Sequence, residues 1–285
     1  MNLATFAEQD STRKKIIYIL LAFALVDSLV AVFAYNDDEP GISVRTAVTD
    51  IEAMLTAGTA AVLATIVVAR QGIDGLHGKT YAALAIGMLM WFSGEIVWTY
   101  YEVGLQIELP SYSMADVFWL FGYGFIGYHL FKTYVYFSKV MNKAGIIAVG
   151  FAASVAISFL VYWMFLDSNL ETIDGVITFL FRISYPVGDF VLIVPSILLL
   201  ATLRNAKLHF SPWFFISIAF LVTAAADILF SYFSLLEKFE GEWVANLLYN
   251  SANLCLAGGL YWYNKFILFD PAKAEKQRTS KEKGD

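Results

Sequence analysis

Long apolar runs recur along the chain, near residues 16–35, 50–69, 80–101, 114–137, 144–166, 174–203, 212–235 and 243–266. Short polar segments separate them. Each run reaches the roughly 20 residues that a helix needs to cross a hydrocarbon layer about 30 Å thick. The pattern predicts an all-α polytopic membrane bundle of eight transmembrane helices. It forms one membrane domain over residues 1–266, followed by a basic cytoplasmic tail at 267–285.

Charge orients the bundle. With residue 1 on the inner side, every Lys and Arg except Arg45, Arg182 and Lys238 falls in an inner segment. Asp37, Asp38, Glu39, Glu102, Glu108, Asp167, Glu171, Asp174, Glu237, Glu240 and Glu242 gather on the outer side. Lys and Arg excess marks the cytoplasmic face, so both termini are expected in the cytoplasm of a multi-pass cell-membrane protein. Arg13-Lys14-Lys15 ahead of an apolar run also has the look of a signal peptide. That run is about 19 residues long, beyond the 7–15 of a signal core, and carries Asp27-Ser28. A retained first helix is the reading kept, although cleavage would leave seven.

Composition fits. The 285 residues are 59% hydrophobic and 15% charged, with mean hydropathy +0.62. A soluble domain carries about 25% charged residues. The net charge of −6 says little, because acids and bases are sorted between the two faces. The single cysteine, Cys255, excludes an internal disulfide and reads as a small core residue. The lysine-rich tail suits contact with anionic lipid headgroups.

The chain also pairs with itself. Arg45…Glu52 and Arg182…Asp189 have the same spacing, and each leads on to a Leu-Ala-Thr. Glu95-Ile-Val-Trp-Thr-Tyr-Tyr101 matches Asp227-Ile-Leu-Phe-Ser-Tyr-Phe233 in residue type throughout. Ala115-Asp116…Trp119 then corresponds to Ala245-Asn246…Tyr249. Three matched motifs in one order predict a parallel 4+4 duplication, with halves at about 16–139 and 144–266. Four helices per copy is an even number, so both copies face the same way, as in some transporters.

Ionisable groups at membrane depth are costly and mark candidate sites. Asp27, Glu95, Arg182, Asp189 and Asp227 meet that criterion. Their positions along the helices place them in the outer half or near the centre, which predicts one shared outward-opening chamber. Arg182 and Asp189 share a helical face, and Arg182 is expected to pair with one of the acids. Trp98, Tyr185 and Tyr249 stand at the same level and complete a ligand-binding or polar-core set. An interhelical polar clamp explains the same residues structurally. The helix at 174–203 is long enough to need tilt or a break, and Pro186 and Pro195 offer the means. Ser113 and Asp116 have capping-box spacing and read as a helix cap.

Several chemistries are excluded. No lysine sits mid-membrane to anchor a retinal, and His77, His129 and His209 lie toward inner helix ends, near the surface, without metal-ligand spacing. No metal and no cofactor are expected. Glycine-rich phosphate loops and nucleophile elbows are missing, and no basic patch beyond the tail suits nucleic acid.

Pro110-Ser111…Ala115-Asp116…Leu120, Tyr185-Pro186-Val-Gly-Asp189 and Asp227…Tyr232…Asn246…Tyr249 together carry a resemblance. They resemble the multi-helix N-terminal membrane sensor regions of prokaryotic diguanylate cyclase, phosphodiesterase and histidine kinase proteins. Two extra residues separate Pro110-Ser111 from Ala115-Asp116 relative to that pattern, and no output domain is read after the last helix. The resemblance implies a stand-alone sensory or ligand-binding module in the lipid bilayer. Its partners would be a small ligand or ion and a separate cytoplasmic signalling protein. Two alternatives remain: a small secondary transporter centred on Asp189, or an intramembrane enzyme using Glu95 and Asp227 on a lipid-like substrate.

Overall fold

The computed structural model describes residues 3–33, 44–107, 112–138, 143–166, 170–205, 212–235 and 242–268. Eight helices follow the eight apolar runs: α1 (Leu3–Phe33), α2 (Val44–Gln71), α3 (Gly75–Thr99), α4 (Met114–Phe137), α5 (Lys143–Leu166), α6 (Ile173–Asn205), α7 (Pro212–Leu235) and α8 (Glu242–Tyr263). A π-helical turn at Tyr100–Gly104 extends α3, and another at Asn264–Leu268 extends α8. No strand occurs among the described residues. The basic tail beyond residue 268, Pro110-Ser111, His209 and the acids Asp37, Asp38, Glu39, Glu108, Asp167, Glu237 and Glu240 lie outside the described residues.

Four stretches are long and apolar enough to cross a membrane: Ala47–Gln71, Gly75–Gly104, Ile173–Arg204 and Pro212–Phe233. Membrane character is therefore a property of the fold as well as of the composition.

Six helices close into a ring. α2 packs on α3, α3 on α4, α4 on α6, α6 on α7, α7 on α8, and α8 returns to α2. The two remaining helices stand outside it, α1 against α8 and α5 against α6. Apolar side chains on these outer helices face away from the protein, among them Tyr18, Leu21 and Leu25 on α1 and Ile147, Phe151 and Phe159 on α5.

Lipid tails are as apolar as leucine, so burial alone does not drive such helices together; close packing and interhelical hydrogen bonds do. The seam between α3 and α4 shows the first. Gly87 and Gly122 meet across it, each carbonyl 3.1 Å from where the other's Cβ would stand. A Cβ on Gly122 would come within 2.3 Å of the Trp91 ring, so both helices need the missing side chains. Bonds at the inner end show the second. Tyr263 donates to Gln71 Oε1 at 2.8 Å and Arg70 to Asn264 Oδ1 at 3.0 Å, joining α2 to α8. Lys265 pairs with Glu8 at 2.9 Å and fastens α1 to the same end.

Two sequence expectations are corrected. α6 runs unbroken through Pro186 and Pro195. Each proline removes one N–H donor only, and neighbouring helices stabilise the interrupted backbone. His129, expected near the surface, is completely buried, with Nδ1 3.0 Å from the Thr80 carbonyl and its ring edge-on to Tyr81. The close α3–α4 seam shuts it away from solvent.

Candidate functional site

The ring encloses a centre made by five helices. α4 turns Tyr123 inward, α6 supplies Asp189, α7 Asp227, α8 Tyr249 and α3 Glu95. The Tyr123 hydroxyl stands 3.1 Å from Asp189 Oδ1 and 2.7 Å from Asp227 Oδ2. Tyr249 donates to the other Asp227 oxygen at 2.5 Å. The Asp189 and Asp227 carboxyls also touch each other. Glu95 accepts from Trp119 Nε1 at 3.1 Å and lies within electrostatic reach of Asp227.

Proton accounting gives this geometry its meaning. A phenol has one proton and can donate it once. Tyr123 touches two carboxyls, so one of its two contacts needs a positive charge or an additional proton supplied at the site. The neighbours of these acids are tyrosines, a tryptophan and one another. Arg182, the cation expected to serve them, lies on the exposed face of α6, while Asp189 is buried.

Aromatic packing fixes Tyr123 in place. Trp91 packs edge-on to it with centroids 5.4 Å apart and donates from Nε1 to the Trp119 carbonyl at 3.0 Å. Tyr185 crosses it at 6.5 Å. Gly188 lies directly against its ring, and a Cβ there would stand 2.7 Å from Tyr123 Cδ1. On the far side of that ring, a cleft of about 360 Å³ opens between α4 and α6, lined by Leu120, Gly124, Ile183, Val187 and Val191. Tyr123 is thus a partition, with an apolar cleft on one face and the acids at its hydroxyl.

Ser113 caps α4 and completes a capping box with Asp116, whose Oδ2 accepts from the Ser113 backbone at 2.7 Å. Asp116 also does something the motif does not announce. Its Oδ1 accepts from Tyr185 at 2.5 Å, which ties the start of α4 to α6.

The remaining acids divide into separate places, where one chamber was expected. Asp27 on α1 meets Glu52 on α2 and Asn250 on α8. Asp50 on α2 meets Glu102 in the π-helical turn and the Trp98 side chain. Trp98 itself packs 5.7 Å from Trp119, linking this pair to the wall of the centre. No group of three His, Cys, Asp or Glu side chains arranged to hold a metal occurs among the described residues.

Sequence reasoning missed Tyr123, Asp50, Glu52 and Asn250. A signal existed for one of them: Glu52 occupies the repeat position of Asp189. Tyr123 carried none, being one aromatic among many on α4.

No family model, no curated protein and no solved structure matches the chain.

Proposed function

We propose that the chain is an eight-span membrane bundle of two parallel four-helix copies, acting as a sensory module that binds a small amphiphile with a cationic head. The observation that carries the ligand reading is the Tyr123 hydroxyl held between Asp189 and Asp227. One positive charge placed there satisfies the surplus carboxyl. The cleft behind the Tyr123 ring accepts the apolar remainder from the side of the lipid.

The ring order supports the duplication. Each half contributes three consecutive helices, and the interfaces repeat in register: α2–α3 with α6–α7, α3–α4 with α7–α8, and α4–α6 with α8–α2. Outward-facing apolar side chains on α1, α4 and α5, such as Leu25, Phe131 and Phe151, support spans additional to the four most apolar. The sorting of Lys and Arg supports cytoplasmic termini. Signalling through a cytoplasmic partner rests on the sequence resemblance.

A binding and transport assay tests the reading. The purified chain in nanodiscs is titrated with octylamine, octanoate and octyl alcohol while tryptophan emission and melting temperature are followed. Octylamine alone should bind saturably, and Asp227→Asn and Tyr123→Phe should weaken it by about ten-fold or more. Equal response to all three compounds, or unchanged binding in both variants, overturns the ligand assignment. Octylamine accumulation by proteoliposomes under a proton gradient would replace the sensor with a transporter.

A further inference from the structure

Asp27 stands apart from the central acids, at the junction of α1, α2 and α8. It is 3% exposed, Thr56 beside it 4% and Asn250 0%. The Asp27 carboxyl is in hydrogen-bonding contact with Glu52 and lies against Asn250. Even so, Asp27 Oδ2, Glu52 Oε2 and Asn250 Nδ2 close no hydrogen bond among the described residues. A buried polar atom left unpaired costs about 1–3 kcal/mol, more if charged. Three in one cluster call for a common partner.

Thr56 indicates which way the amide points. Its hydroxyl is 3.0 Å from the Ala53 carbonyl and 3.1 Å from Asn250 Oδ1. It has one proton, and the Ala53 carbonyl can only accept. Given to Ala53, that proton leaves Thr56 as an acceptor, which an Asn250 oxygen cannot satisfy but its NH2 can. Amide oxygen and nitrogen are assigned from such networks. Turned accordingly, Asn250 donates to Thr56 and presents its oxygen to Asp27 and Glu52. Three oxygens from three helices then converge. Two carboxyls in hydrogen-bonding contact share one proton, so the pair retains a single negative charge.

We propose that Asp27, Glu52 and Asn250 form a monovalent-cation site of the sodium type that ties α1 to the ring. Hard oxygen donors suit such an ion, and one net charge matches one monovalent cation. Glu52 is only partly buried and stands at the rim, where water completes the coordination. Among its principal neighbours α1 has only α8, so an ion shared with α2 and α8 adds a second attachment.

The full chain in detergent, exchanged into choline chloride, is titrated with radioactive sodium in a scintillation proximity assay. Saturable binding of one ion per chain is expected. Asp27→Asn, Glu52→Gln and Asn250→Leu should weaken it about ten-fold or more, whereas Asn250→Asp retains it. Sodium should also raise the melting temperature where equal choline does not. Absence of saturable binding in the natural chain overturns the site, and so does undiminished binding in Asp27→Asn and Glu52→Gln. Glu52→Gln is isosteric at the rim, so at least one variant reports on binding in a folded chain.

Discussion

Trp119 on α4 donates its indole proton to Glu95 on α3 at 3.1 Å. The repeat-matched positions on α8 and α7 hold the same contact, from Tyr249 to Asp227 at 2.5 Å. Two aromatic donors thus hold two acids at equivalent seams, although the residue types differ. The contact is what the matched motifs have in common, and local packing chooses the ring that makes it.

Trp119→Phe leaves Glu95 without its donor. Interhelical hydrogen bonds in membranes are worth about 0.6 kcal/mol on average and up to about 1.7, and a loss in that range is expected. Combining it with Glu95→Gln should show coupling, since the pair is in contact. Thermal unfolding of the four forms measures this. Strict additivity would mean that the bond contributes nothing.

Gly188→Ala should destabilise the chain by about 1–3 kcal/mol, the usual cost of overpacking. The new Cβ would stand 2.7 Å from the Tyr123 ring, which has Trp91 on another side. Gly124→Ala is the comparison, because nothing lies within 4 Å of its added carbon. Equal melting temperatures for the two variants would contradict the partition role given to Tyr123.

Asp10 lies before the apolar part of α1, where Lys14 and Arg13 hold its carboxyl below the ordinary value of 3.8, Lys14 through a hydrogen bond foremost. A lowered carboxyl contributes stability above its unfolded midpoint and loses it as pH falls through the folded one. The group is exposed, so no change in global melting is expected. Its NMR titration should show a midpoint under 3.8 that rises in Lys14→Met. A midpoint indifferent to Lys14 would show that the ion pair does not persist in solution.

Orientation can be read with single cysteines in a Cys255→Ala background, the native thiol being buried. Ile73 and Leu105 are exposed near opposite ends of α3. An impermeant maleimide on intact cells should label Leu105→Cys and reach Ile73→Cys only after permeabilisation. The reverse pattern inverts the topology.

The sequence reveals more along the helix axis than around it. Apolar length sets the number and limits of the helices, so all eight runs correspond to elements. Depth is equally legible, which is why Asp27, Glu95 and Asp227 were grouped at one level. Azimuth is not. α4 is apolar all round, so nothing in its periodicity separates inward Tyr123 from exposed Phe121 and Tyr128. Asp27 belongs to a different corner because α1 docks outside the ring, a fact of helix order that spacing does not contain. The Ser113–Asp116 cap was legible because both partners lie within one turn.

The continuity of α6 has a mechanical consequence. Asp189 and Arg204 belong to one uninterrupted rod, about 22 Å apart along its axis at 1.5 Å per residue. A rod of that length turns angle into travel. Pivoting about 5° at the acid centre would carry the Arg204 end sideways by about 2 Å. Such amplification requires no hinge, and the two prolines that first suggested one lie within the lever arm itself.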